Sequence, residues 1–335
     1  MLNLIHFNPQ AVTDAVQRAE HFLISQQDAD GCWRDYQLEP GASEAWTTAT
    51  VLYSLTGAQP SSVPVPIVNA AIQALLNLQR PTGWGYNRHT ATDGDSTAWA
   101  CRALASLEAL PGTLLAALLQ NYIHENGSTR TFLLQERFGS WAGNHADVQP
   151  MIGLALLKCY SSKTALQATE MTRLIFLLRN HCINSAGNGL WRSFWWASDA
   201  YAIAINLEFL QTSGGIPVTI RQSAITWLKK EIIPQTAFEA AQLLKIALLC
   251  GSGAYLATSY TRYLLDKQID DGSWPPAQLL LVPKQFEKIQ QGNDHSSAFT
   301  DKNKLMSTAM ALTALKTVLA TFGSPGIVRV FSSCS

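Results

Sequence analysis

Two carboxylates stand two residues apart, Asp93 and Asp95, in the run Thr92-Asp93-Gly94-Asp95-Ser96-Thr97-Ala98-Trp99. An Asp buried beside a second carboxylate holds its proton more tightly, because like charge and desolvation both disfavour ionisation. A donor on its other oxygen and a helix N-terminus act in the opposite sense and make it a better proton donor. The run opens a small, apolar helix, so it suits either a general acid or a plain helix cap, a place Asp favours. Glu44, Asp147, Asp199 and Glu239 stand near the starts of similar helices, where ordinary dipole and capping chemistry accounts for acids. If these starts face one mouth, Asp147 and Asp199 can tune Asp95 or stabilise positive charge there. His145 is a candidate partner for Asp95, or an ordinary cap or surface histidine. Trp46, Trp99, Trp195, Trp196, Tyr201 and Phe238 crowd the same starts. Their rings either pack a core or present faces to a cation.

The elements that must position these residues recur along the chain. Residues 18–33 and 262–274 both read aromatic–Leu, three residues, Gln, three residues, Gly-x-Trp, and weaker copies end at Tyr86 and Trp191. Each predicts an outer helix that stops at a Gly, whose left-handed backbone suits a helix C-terminus, with an aromatic ring pinning the turn. The Gln is placed to bond the backbone of a neighbouring turn. A second piece follows each first one: Ser96-TAWACRAL and Ser307-TAMALTAL agree at Ser, Thr, Ala, Ala and Leu, and Thr47-TATVLYSL is a looser copy. Segments from Val148, Ala200 and Ala240 fill the same slot. With almost no charge, these helices are expected to bury both faces. The count is six outer/inner pairs, the fifth (Val218–Ile233, Ala237–Cys250) being the weakest, at a spacing typical of helical-hairpin repeats. No run of strands competes. The reading is all-α, one domain over residues 1–335, with six hairpins closing into two concentric rings.

The Gln…Gly-x-Trp pieces resemble the QW repeats of squalene–hopene and oxidosqualene cyclases, over nearly the whole chain. The resemblance implies the α6/α6 barrel of the terpene-cyclase/prenyltransferase superfamily. The Asp-Gly-Asp-Ser-Thr-Ala run resembles the Asp-x-Asp-Asp-Thr-Ala motif of class II terpene cyclases. That likeness makes Asp95 the catalytic acid and Asp93 its tuning neighbour. Ser96 departs from the fourth Asp, as in oxidosqualene cyclases, where Cys follows the acid. The implied reaction protonates an alkene of a linear isoprenoid or prenylated small molecule inside an aromatic cavity. Trp46, Trp99, His145, Asp147, Trp196, Asp199, Tyr201 and Phe238 are the expected substrate-binding set, with no metal. Mg²⁺ enters only if the substrate carries a diphosphate. Members of this family place their site between two barrels. A homodimer, a second barrel or the interruption Pro275–Lys304 is therefore expected to cover the mouth, and that interruption suits a lid or a contact with a membrane surface.

Composition limits the rest. The chain has 335 residues, 24 basic and 24 acidic side chains, 14% charged and 47% apolar residues, and 10 Trp, 9 Tyr and 12 Phe. Such charge poverty with so many rings excludes a disordered chain, and without a basic excess nucleic acid is not an expected partner. Residues 1–10 lack the basic and apolar regions of a secretory signal. No membrane-spanning stretch is expected, and the six scattered cysteines read as buried thiols of a cytoplasmic protein. Two other readings stay open. One is a carbohydrate-active α/α barrel using paired acids such as Asp95 and Asp199. The other is a non-catalytic barrel that binds lipid or a protein partner. No Asp-x-Cys with a later His, as in the zinc-binding prenyltransferase β-subunits, stands at the inner-helix starts.

Overall fold

The computed structural model describes residues 8–57, 62–160, 165–187, 189–230, 232–252, 254–285 and 297–322. Residues 1–7, Pro60, Ser61, Cys334 and the middle of the Pro275–Lys304 interruption, 286–296, lie outside them. In chain order the elements are α1 (Pro9–Ser25), β1 (Asp35–Leu38), β2 (Gly41–Ser43), α2 (Ala45–Thr56), α3 (Val65–Leu78), α4 (Gly94–Ser106) and α5 (Gly112–Gln120). Then come α6 (Gln135–Phe138), α7 (Gln149–Cys159), α8 (Ala165–Asn184), α9 (Asp199–Thr212), α10 (Val218–Leu228), α11 (Ala237–Cys250) and α12 (Ala254–Lys267). The antiparallel strands β3 (Gln278–Val282) and β4 (Ser297–Thr300) precede the last helix, α13 (Leu305–Phe322). The fold is all-α.

Burial separates the helices into two kinds. In α2 every residue but Tyr53 and Thr56 is buried, whereas α3 buries only Ala71, Ala74 and Leu75. The fully buried helices touch in a closed cycle: α2 on α4, α4 on α7, α7 on α9, α9 on α11, α11 on α13, and α13 back on α2. Helices α1, α3, α5, α8, α10 and α12 pack against these six with one stripe each, as amphipathic helices must. Two two-stranded hairpins also form, which the hydrophobic pattern did not signal; β1–β2 and β3–β4 are too short to carry a period-2 signature. By length and composition α13 could cross a membrane, yet most of it is buried between α1, α2 and α11. The five described cysteines are buried thiols.

The recurrent turn explains its own residues. The indole Nε1 of Trp33, Trp84, Trp191 and Trp274 donates to a carbonyl of the preceding outer helix: Leu23 at 2.7 Å, Leu75 at 2.7 Å, Cys182 at 3.1 Å and Leu264 at 2.8 Å. Gln27 Nε2 donates to Gly31 O and to Ile67 O of α3, both at 3.0 Å. Gln268 Nε2 repeats this with Gly272 O and Ala15 O of α1, both at 2.9 Å. The threonine of the second piece completes the unit, because Thr48, Thr97 and Thr308 Oγ1 accept from the backbone N–H of Trp33, Trp84 and Trp274. Three of these turns thus tie their own outer helix to an inner helix, and two of them reach the next outer helix. Gly31 and Gly272 have φ of +82° and +88°, and a Cβ there would lie 2.3 Å from Ala70 O and 2.4 Å from Arg18 O. Gly127 has the same backbone against Leu177 O, so a third copy of the turn exists where the sequence, lacking Trp, gave no sign of one.

Seven residues past Asp95, two helical turns further along α4, buried charges gather. Arg102 ion-pairs with Glu208 of α9, which also takes Lys245 Nζ of α11 at 2.6 Å. Arg102 lies over the Tyr53 ring at 4.2 Å, and Lys316 of α13 pairs with Glu20 of α1 at 2.7 Å. Buried pairs of this kind persist only when every partner is present.

Gly31→Ala should lower the unfolding free energy by about 2–4 kcal/mol, since strained φ and a backbone clash act together. Gly187→Ala shares a left-handed φ of +56° but meets nothing within 4 Å, and should cost only about 1 kcal/mol. Denaturant titration of the two variants checks this; equal losses would mean that the close helix approach contributes nothing.

Candidate active site

A cavity of about 550 Å³ opens at the end of the inner helices where α2 and α4 begin. Asp93, Asp95 and Ser96 belong to its lining through the first turn of α4, and Trp46 through that of α2. Phe132, Phe138 and Trp141 come from the stretch between α5 and α7, and Trp195 and Trp196 from the turn before α9. Leu280, Val282 and Phe299 come from β3–β4. The interruption between α12 and α13 therefore supplies one wall. An isolated bridge from Trp196 to Leu280, with Ala197 N donating to Leu279 O at 2.9 Å, holds that arm against the turn before α9. A larger cleft, about 1140 Å³, lies outside between α8 and α10, lined by residues such as Arg192, Gln222 and Lys230. It contains neither member of the Asp93–Asp95 pair.

Asp93 is the N-cap of α4. Its Oδ1 accepts from Ser96 N at 2.7 Å and its Oδ2 from Ser96 Oγ at 2.8 Å. Burial raises its carboxyl to about 6, and the Ser96 bonds hold it from rising further. Gly94 N donates to Thr131 O at 2.7 Å, and a Cβ on Gly94 would sit 2.9 Å from Arg130 O; the loop 130–132 lies directly on the motif. Asp95 is half-buried and opens on the cavity, while its Oδ1 is sealed and meets no partner among the described residues. Burial, then the Asp93 and Asp147 carboxylates, push its carboxyl well above the usual range. The Trp46 indole N–H acts weakly the other way but falls short of hydrogen-bond geometry.

Asp147 precedes α7. Its Oδ2 accepts from Phe194 N and Trp195 N, both at 2.8 Å, while Oδ1 is buried without a partner among the described residues. Burial raises it to about 6. It does not line the cavity; it holds the turn that delivers Trp195 and Trp196. Of the expected aromatic set, Trp46 and Trp196 line the cavity with ring centroids 5.7 Å apart. Phe238 stacks behind Trp196 at 4.6 Å, and Tyr201 lies 4.7 Å from it. Trp99 sits one turn below Asp95 against Tyr53 at 6.0 Å, within reach of Arg102 rather than of the cavity.

His145 and Asp199 are placed elsewhere. His145 is buried away from the cavity with Nδ1 on Thr131 Oγ1 at 2.7 Å and Nε2 on Ser140 O at 3.0 Å, stacked on Phe194 at 3.8 Å. A carbonyl cannot donate, so Nε2 carries the proton. Burial lowers the ring to about 4, and it stays neutral. Both nitrogens are engaged, so it is no partner of Asp95; it fastens loop 131–145. Asp199 is exposed, accepts from Ser193 N at 2.9 Å and faces the outer cleft. Glu44 is held near 2 by Arg88 and Arg34 against its burial, and Glu239 caps its own turn through Gln235 N and Ser198 Oγ. The aromatics of 132–141 were missed because they lie between repeats; their signal was ring density in a stretch with no helical period.

Among the described residues no three His, Cys, Asp or Glu side chains converge as a metal site. No protein-family model and no curated protein matches the sequence. Solved structures do resemble it. The type II terpene cyclase MstE from Scytonema superposes with a TM-score of 0.75 at 21% identity, covering 94% of this chain and 99% of that one. The chain has the type II terpene cyclase fold. ent-Copalyl diphosphate synthase from Streptomyces platensis matches with a TM-score of 0.59 at 17% identity, over 82% of this chain and half of its own. A possible member of the GH105 family from Klebsiella pneumoniae matches at 0.56 and 16% identity, over 96% of both chains.

Asp147→Asn keeps an acceptor for the Phe194 and Trp195 amides but removes a titrating group. A carboxyl near 6 in the fold and near 4 unfolded binds more protons when folded. Its stability contribution is therefore full below pH 4 and lost as pH rises to 6. Wild type should lose about 2–3 kcal/mol more than Asp147→Asn between pH 4 and 7. Chemical denaturation at the two pH values measures it; parallel curves would mean that Asp147 is not held protonated.

Proposed function

We propose that this chain is a class II, proton-initiated cyclase of a linear isoprenoid or prenylated small molecule, with an α6/α6 barrel as its scaffold. The closed cycle of inner helices, each backed by an outer one, supports the barrel. The observation that carries the activity is Asp95, a carboxyl that opens on an aromatic-walled cavity and that burial and two neighbouring acids push well above the usual range. Asp95 is the general acid. Its proton goes to the substrate alkene, and the carboxylate left behind lies in the first turn of α4, where the helix dipole favours negative charge. Asp93, held by Ser96, adjusts it. Trp46, Trp195 and Trp196 present ring faces to the cation that forms and exclude the water that would quench it. Tyr201 and Phe238 support Trp196, and Asp147 and His145 fix the loops that carry the cavity rings.

A structure of MstE holds geranylgeranyl dihydroxybenzoate as substrate, which supports a small-molecule partner with a long isoprenoid chain here. A cavity of about 550 Å³ is in the usual range for such ligands, roughly 300–1,000 Å³. The β3–β4 arm and residues 135–141 take the covering place that a second barrel or second subunit would otherwise fill. The proton step needs no metal; Mg²⁺ belongs to the proposal only for a diphosphate substrate. A carbohydrate-active barrel has the fold likeness alone, because its second acid, Asp199, faces another cleft.

The test is incubation with a panel of linear isoprenoids and prenylated small molecules, read by mass spectrometry and NMR. A cyclised isomer of unchanged mass is expected. Asp95→Asn should keep its melting temperature and lose at least 10³-fold in rate, the scale of a general acid; Asp93→Asn, still a good cap, should retain partial activity. A folded Asp95→Asn enzyme that turns over at the wild-type rate refutes the mechanism.

A further inference from the structure

Three polar atoms around the acid are sealed from solvent and meet no hydrogen-bond partner among the described residues: Asp95 Oδ1, Trp46 Nε1 and Tyr201 Oη. Trp46 is 4% exposed and Tyr201 2%. Buried donors are normally paired, and one left alone is costly. The packing of the inner helices gathers these atoms at one level. Tyr53 of α2, Arg102 of α4, Glu208 of α9 and Lys245 of α11 meet through two ion pairs and a ring contact. Seven residues earlier on the same four helices stand Trp46, Asp95, Tyr201 and Phe238. Seven residues are close to two turns, about 10 Å along a helix, so these four share the face that carries the ion pairs. Ring contacts agree with that placement: Trp196 lies 5.7 Å from Trp46, 4.7 Å from Tyr201 and 4.6 Å from Phe238, and Tyr201 lies 5.8 Å from Phe238. In this layer Asp95 is the acceptor, Trp46 and Tyr201 are donors, and Phe238 is neither.

The Trp46 indole N–H reaches towards Asp95 without meeting hydrogen-bond geometry. Burial pushes the Tyr201 phenol well above its ordinary range, with the Asp95 charge next and that of Asp147 after it, so the hydroxyl keeps its proton and stays a donor. Trp99 and Arg102 act on it in the opposite sense. We infer that Trp46 N–H and Tyr201 O–H are a donor pair for the Asp95 carboxylate, idle while Asp95 holds its proton and closing on Oδ1 as that proton leaves for the alkene. This rests on the cyclase reading. In the step, the Asp95 O–H bond breaks and a C–H bond forms at the alkene. Positive charge appears on the substrate and negative charge on Asp95, while both donors keep their own protons. Donors unpaired in the resting site and paired in the charged one lower the barrier without tightening substrate binding. Trp46 then serves twice, with its ring face towards the cation and its N–H towards the anion left behind.

The probe is geranylgeranyl dihydroxybenzoate, with the wider isoprenoid panel behind it. Tyr201→Phe keeps the ring and removes the hydroxyl. Benzothienylalanine at position 46 keeps the double ring and puts sulfur in place of the indole N–H. Each should lower kcat about 10²-fold while KM stays within about threefold. Mono- and difluorotyrosine at position 201 carry more acidic hydroxyls and should raise kcat stepwise. Tyr201→Phe should melt no lower than wild type, because it removes a buried hydroxyl that has no partner in the resting fold. The infrared carbonyl band of Asp95, identified by its loss in Asp95→Asn, should show ionisation moved up by about one pH unit in either variant. Wild-type kcat in both variants, from an enzyme that cyclises the probe or a panel member, overturns the donor pair and leaves the cyclase reading standing. A lower melting temperature in Tyr201→Phe with an unmoved Asp95 midpoint makes the hydroxyl a structural group and overturns the pair as well. A wild-type enzyme inert across the whole panel removes the cyclase reading and this inference together.

Discussion

The constraint on which the site depends is the desolvation of one carboxyl group. Asp95 has an oxygen sealed in the protein with no partner among the described residues, and Asp93 and Asp147 lie near enough to repel its charge. In water such a group ionises; here the cost of stripping a carboxylate of solvent keeps the proton on. Everything around it serves to keep that oxygen dry or to hold the neighbours still. Ser96 occupies both oxygens of Asp93, the amides of Phe194 and Trp195 occupy one oxygen of Asp147, and His145 closes loop 131–145 over the motif.

That dryness comes from the way the inner helices are held. Their side chains are apolar and almost all buried, and the cavity lies where α2 and α4 begin. Helices α1, α3 and α12 are pinned, because the indole N–H of Trp33, Trp84 or Trp274 spans from the turn to a helix carbonyl while a threonine of the inner helix takes the backbone of the same tryptophan. The recurrent Trp, Thr and Gly therefore act as one joint in three parts. The two joints with Gln, at Gln27 and Gln268, also reach the next outer helix.

Much of this was legible in the sequence. The Gln, Gly and Trp spacings marked the joints, and low charge marked the inner helices. Asp93 and Asp95 stood out because two acids opened a helix with no other charge in its first turn. What escaped shares a cause. Phe132, Phe138, Trp141 and Arg137 lie in irregular chain between repeats, and Leu280, Val282 and Phe299 lie on a hairpin too short to show alternation. They reach the cavity only because the fold brings segments some 140 residues apart into one rim. His145 and Asp199 were read from proximity to helix starts, but at such a start a shift of one or two residues turns a side chain to another face. Asp199 consequently looks outward and His145 into the loop packing.

The joint at Gln268 has a bearing on how the chain reaches this state. It bonds Ala15 across 253 residues and, with Gly272 against Arg18, seats the sixth outer helix on the first. An open array of hairpins can lengthen one unit at a time, each new contact being local. A closed ring cannot, because its last seam forms only after α13 has been made, some 250 residues after α2, and until then α2 and α11 both present bare apolar flanks where α13 belongs. Closure entropy is therefore met late and all at once, which makes assembly slow and cooperative. During synthesis, the exposed flanks are the surfaces on which incomplete chains would adhere to one another.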